Sequence, residues 1–149
     1  MIDVLGMSSV SVGLTGTTVL TPLGQCYIPA GTLGPNGQLR VNVAWSHNNS
    51  ADNKTLSAAI GGVTVYSDVE TTASVTQSTT FRVRNRAALN AQLLSAPSAE
   101  FTPAGGNPNS AVAINFAIDQ TIVFYGQLAV GTDNLSLDAW EVEYLRVGP

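Results

Sequence analysis

Between Gln38 and His47 the chain reads QLRVNVAWSH, and Leu39, Val41, Val43 and Trp45 fall at every second position. A period of two places all four on one face of an extended strand, whereas on a helix they would be spread around the cylinder. One face of this segment must therefore meet a core, while Arg40, Asn42, Ala44 and Ser46 occupy the other. The same alternation recurs at Leu56, Ala58 and Ile60, at Phe81 and Val83, at Val112 to Ile118, and at Ile122, Phe124, Leu128 and Val130. A chain patterned in this way folds as sheets.

The turn chemistry between these segments agrees. GTLGPNG (31–37) carries Pro35 and Asn-Gly, which favour a turn, and Gly61-Gly62 joins two alternating runs as a two-residue hairpin. Thr17 to Thr21 and Gln25 to Ile28 read as short strands, the first ended by Pro22. The first residues predict an edge strand around Ser8 to Val12, or an N-terminal arm over 1–12 reaching a neighbour. Asp68 to Gln77 is an exposed loop or an edge strand. Ala87 to Leu94 (AALNAQLL) is the one segment where a helical turn competes with an irregular strand, since Ala and Leu favour helix and Leu89 and Leu93 are four apart. Ser95 to Ser110, with three prolines and Gly105-Gly106, reads as a long surface loop.

In Thr121 to Val130 the second face also carries Val123 and Tyr125, so burial on both faces is expected. Along Leu135 to Val147 the apolar parity slips, which predicts bulges or a strand crossing between sheets. The expectation is an all-β fold: a single antiparallel β-sandwich over 1–149, jelly-roll-like, with eight to ten strands and at most one short helical turn. An immunoglobulin-like sandwich comes second, because its cysteine pair is absent.

Charged residues make up only 11% of the chain, against roughly a quarter in ordinary soluble domains. A surface poor in charge is easily desolvated and suits permanent contact with other subunits. The net charge is −4, with six basic residues of which Lys54 is the only lysine. That balance argues against nucleic-acid binding, which needs a clustered positive face. The one basic cluster, Arg82, Arg84 and Arg86, shares a strand face and suits a solvated surface or a subunit contact. No apolar run approaches the roughly 20 residues of a membrane span, and MIDVLGMSSVSVGL lacks the basic start of a secretory signal. A protein made in the cytoplasm without Sec export is expected.

Catalytic chemistry finds little to use. His47 is the only histidine and Cys26 the only cysteine, so a zinc ligand set and a disulfide are excluded, and no cofactor is expected. Cys26 reads as a small core residue. Glu141 and Glu143 share one strand face about 7 Å apart, within the range of an inverting glycoside hydrolase, although alternating acids on a half-exposed strand are more often simply solvated. Trp140 and Tyr144 project from the opposite face as core or interface anchors.

IPAGTLGPNGQLRVNVAWSHNNSADNKTLSAAIGG (28–62), followed by VYS at 65–67 and FRVRNR at 81–86, resembles a recurring pattern of tailed-bacteriophage virion structural proteins. In that pattern an IPAGTLG segment leads into an alternating strand, a loop ending in NKTL, a GG hairpin and later an NR segment. The resemblance covers roughly Tyr27 to Gln92. It implies a β-sandwich, a homo-oligomer with a trimer favoured, a place in the virion, and no catalytic residues. Two roles follow from it. One is a capsid decoration (cement) protein that binds the major capsid protein; the other is a tail or fibre-head module that binds host glycans. A glycan-degrading enzyme using Glu141, Glu143 and His47 is the third alternative. Subunit or capsid contacts are expected from Ile2, Val4, Leu5 and Met7 near the start of the chain and from Arg82, Arg84 and Arg86.

Overall fold

The computed structural model describes residues 1–72, 74–95 and 109–145. Eleven strands are found there: β1 Ile2–Ser8, β2 Val12–Thr15, β3 Thr21–Ile28, β4 Gln38–His47, β5 Lys54–Ile60, β6 Val63–Glu70, β7 Thr76–Asn85, β8 Gln92–Ser95, β9 Asn109–Val112, β10 Gln120–Leu128 and β11 Asn134–Leu145. The larger sheet has the order β1-β11-β4-β7-β8-β9, with β2 also paired to β11. The smaller has the order β3-β10-β5-β6.

The topology is that of one long hairpin folded over. Four antiparallel pairs are nested in sequence, β5 with β6, β4 with β7, β3 with β10 and β1 with β11. Rolling this ribbon brings β11 against β4 and β10 against β5. Two facing sheets result, with the strand order of a jelly roll. The chain is an all-β sandwich, as the alternation predicts. It has more strands than the eight to ten expected, because the short β2, β8 and β9 extend the larger sheet.

The inward faces follow the period-two reading. Leu39, Val41, Val43 and Trp45 of β4 face Ile122, Phe124 and Leu128 of β10, all 2% exposed or less. Each such side chain contributes about 1.5–3 kcal/mol relative to leaving it in water. Tyr66 stacks on Phe81 at 4.9 Å between ring centroids, which ties the smaller sheet to the larger. Cys26 is buried, and burial pushes its thiol pKa up. At the β5–β6 hairpin, Gly61 and Gly62 take φ of 55° and 80°, the positive pair that a tight two-residue turn requires.

Several local readings are corrected. The N-terminal residues are neither an arm nor a strand at Ser8 to Val12: β1 spans Ile2–Ser8 and pairs with β11. A bulge between Val4 and Gly6 breaks its alternation and hides it in the sequence. Thr17 to Leu20 form no strand, and Pro22 lies inside β3. It is tolerated there because β3 is an edge strand with a register shift at that point, where a missing N–H costs little.

Ala87 to Leu94 holds no helix, and Gln92–Ser95 is strand β8. The buried Gln92 amide holds this segment. Its Oε1 accepts from the Ile114 N–H at 2.7 Å, and its Nε2 donates to the Ile114 carbonyl at 3.0 Å. The strand expected through Ile118 stops at Val112. Ile114 and Phe116 are still buried, but Ile118 is 56% exposed. The parity slip in β11 is a bulge between Leu137 and Ala139. Most of the loop expected over Ser95 to Ser110, and Val147 at the end of the last strand, lie outside the described residues.

Gly126 sits on the inner face of β10, where a Cβ would meet Leu23 Cδ1 at 2.8 Å and Leu135 Cδ2 at 2.9 Å. Gly126→Ala is therefore expected to lower the unfolding free energy by about 1–3 kcal/mol through overpacking. Urea denaturation with an unchanged slope is the check.

Candidate functional site

The outer face of the larger sheet collects most of the side chains singled out from the sequence. Its registers run across four strands. Val4, Glu143, Arg40 and Arg82 form one row; Ile2, Leu145, Gln38 and Arg84 form the next; Met7, Glu141, Asn42 and Thr80 form a third. Ile2, Val4 and Met7 are 53%, 52% and 65% exposed. They lie about 14 Å, or three strand spacings, from the arginines of β7. Leu5 is not among them: at the bulge it turns inward and packs against the core. Arg86 lies just past the end of β7 and is exposed.

The rows are held by polar contacts. Arg40 Nε donates to Glu143 Oε2 in an ion pair. Arg84 Nε donates to Gln38 Oε1 at 2.5 Å, and Thr80 Oγ1 donates to Asn42 Oδ1 at 2.7 Å. Sequence reading missed Arg40 and Asn42 as partners, because alternation gives the face of a residue but not its neighbour across the sheet.

Glu141 and Glu143 do meet. Their carboxyl groups share a hydrogen bond, which raises the Glu141 pKa, while the Arg40 guanidinium lowers that of Glu143. Beside Glu141 a cleft of about 290 Å³ opens over Met7, Ser8, Asn42, Ala44, Ser78 and Ala139. Its floor is shallow because Ala139, Ala44 and Ser78 pair across adjacent strands.

His47 lies elsewhere, at the inward end of β4. It is 6% exposed, with Nδ1 2.9 Å from the Asn48 carbonyl and Nε2 without a hydrogen-bond partner among the described residues. Beside it a buried polar cluster anchors the loop between β4 and β5. Asp133 accepts from Asn48 Nδ2 at 2.7 Å and from Ser50 Oγ at 2.8 Å, and these bonds, with smaller contributions from Lys54 and His47, lower its pKa. Lys54, fully buried, donates to the Ser50 and Asp52 carbonyls at 2.9 and 2.7 Å and stands 3.9 Å from Asp133. The side-chain polar atoms of Lys54 and Asp133 are thus committed to holding a loop. Among the described residues no group of three or more His, Cys, Asp or Glu is placed to hold a metal ion. Trp45 is inward; Trp140 is partly buried and packs on Phe124 at 5.5 Å between ring centroids.

No family model and no curated protein matches the sequence. Among solved structures, the chain is similar to the CBM2 module of the evolved Dit of Lactobacillus casei BL23 phage J-1, with a TM-score of 0.47 and 9% identity over 99% of this chain and 98% of that one. Dimeric latent PorU from Porphyromonas gingivalis gives a TM-score of 0.45 at 12% identity; 97% of this chain is covered, which spans 12% of PorU. The CBM36-1 domain of a multidomain xylanase from the hindgut metagenome of Trinervitermes trinervoides gives 0.40 at 12% identity over 92% and 78%. With TM-scores below 0.5, none of these assigns a function to the chain.

Two outcomes test the site. The folded-state pKa of Glu143 is lowered, so its pairing stabilises the fold above the ordinary value of 4.5 and is lost as pH falls through the lowered value. Glu143→Gln should reduce the thermal midpoint at neutral pH, and the difference from the parent should close in acid. Lys54→Met keeps the aliphatic stem but strands two carbonyls and Asp133, and should cost roughly 3 kcal/mol in denaturant unfolding.

Proposed function

We propose that this chain is a phage virion structural protein, a capsid decoration (cement) protein that binds the assembled head and stabilises it. The observation that carries the reading is the outer face of the larger sheet. Exposed Ile2, Val4 and Met7 lie on the same sheet face as Arg82 and Arg84, on paired strands. Apolar anchors flanked by arginines have the composition of a protein contact. The resemblance over Tyr27 to Gln92 supports the same reading. Its motif residues are spent on structure: Gly31 N–H donates to the Phe116 carbonyl, Lys54 holds its loop, and Gly61-Gly62 turns the hairpin.

The mechanism is mass action. A protein that binds only the assembled shell stabilises that state by its differential affinity. The major capsid protein is the partner, the chain acts as a homo-oligomer with a trimer favoured, and neither nucleic acid, membrane nor cofactor takes part. No catalysis is assigned to Glu141, Glu143 or His47.

Electron microscopy of purified virions should show copies of the chain on the head, and adding the protein to stripped heads should raise the temperature of DNA release. Val4→Asp with Met7→Asp should abolish that rise. Heads without copies would sink the proposal.

A further inference from the structure

The outer face of the smaller sheet differs from every other surface of the sandwich. Its outward positions follow from the registers of β3, β10, β5 and β6. Tyr27 pairs with Thr121, Val123 with Ala59, Tyr125 with Ser57, and Thr55 with Val69. Among the described residues no Asp, Glu, Lys, Arg or His occupies an outward position on these four strands. The larger sheet carries Arg40, Arg82, Arg84, Glu141 and Glu143 on its outer face. Tyr27 and Val69 are 55% and 50% exposed, and Val123 and Tyr125 are half-buried. The burial of both faces of β10 that its sequence calls for is therefore left unfinished in a single chain.

The geometry points to this face as the contact between copies of the chain: it is covered by a second copy. This goes beyond the homo-oligomer named above: a face that meets its own copy makes a two-fold contact, separate from the contacts that would close a trimer. Charge is the first argument. Two copies each carrying −4 repel wherever acids face acids, and a face without charge lets them meet at no electrostatic cost. Hydrogen-bonding chemistry is the second. Ser, Thr, Tyr and Gln each donate and accept, so a face built from them is complementary to itself; a row of carboxylates or of guanidinium groups is not. A different protein would be selected by complementary charges, and this face offers none. Area is the third. Four strands of about eight residues make a plane of about 500 Å² before side-chain relief is counted, a large share of the roughly 800 Å² per partner in a standard interface. Asp119 stands at the rim, where it accepts from the Ala30 N–H at 2.8 Å, and its interaction with the Tyr27 hydroxyl raises the tyrosine pKa.

Sedimentation of the full chain tests this without any virion, so it stands or falls apart from the decoration role. The parent should sediment as an oligomer at about 100 μM, and Val123→Glu and Ser57→Glu should each weaken association at least about tenfold. Asn90→Glu, which adds the same charge to an exposed loop, should not. Raising salt should leave the parent associated, because no ion pair holds this contact. Circular dichroism confirms that the variants fold. In the unmutated chain, radical labelling of Tyr27 and Tyr125 should fall as concentration rises. A monomeric parent, association untouched by Val123→Glu, or labelling independent of concentration would overturn the inference. So would a monomer whose Tyr27 is protected by glycans.

Discussion

The pairing of β11 with β4 is the constraint on which the rest of the sandwich depends. It joins the outermost strand of the nested ribbon to the inner pair, and without it the chain would remain a long, open hairpin. Ten register pairs carry it, from Leu135 with His47 to Leu145 with Gln38, interrupted once at Asp138. The bulge there is what allows both ends of β11 to serve the same core. Leu135 and Leu137 point inward before it, and Val142 and Tyr144 point inward after it. A strand of this length with strict alternation would have sent one of the two sets into water.

That pairing also builds the outer face. Glu143 meets Arg40 only because β11 and β4 are in this register, and the Met7–Glu141–Asn42 row exists for the same reason. The fold and the candidate contact surface are therefore one piece of geometry. A slip of β11 by one residue against β4 would turn Glu143 inward, away from Arg40, and send Val142 and Tyr144 outward. The apolar inner face and the ion pair on the outer face specify the same alignment, and each excludes the slip that the other would suffer.

What could be read from the sequence divides along the same line. Faces were legible, because alternation is a local property: Trp45, Ile122 and Phe124 were placed inward, and Val123 and Tyr125 were singled out as a second apolar face. Partners were not, because cross-strand neighbours come from segments far apart in the chain, 103 residues for Arg40 and Glu143 and 143 for Ile2 and Leu145. Irregularities hid strands as well. The bulge in β1 disguised an edge strand as a weakly patterned terminus, and Pro22 looked like a stop because its place on an edge could not be known. The helical propensity of AALNAQLL gave way to the pairing of β8 with β7 and β9, beside which the Gln92 amide mimics a strand partner for Ile114. At the candidate site, spacing put Glu141 and Glu143 on one face, and the ion pair that Glu143 makes with Arg40 came only with the register of β11 on β4.

The burial of Lys54 reaches beyond the loop it holds. It is the only lysine in the sequence, and its ammonium is fully enclosed. No lysine side chain therefore presents a primary amine to the surroundings. Reagents and enzymes that acylate, cross-link or cut at lysine find no side-chain target on the folded chain, and its outer chemistry is left to carboxylate, arginine, hydroxyl and amide groups. For a protein read as a coat component, that is a surface with few handles for modification once the sandwich has closed.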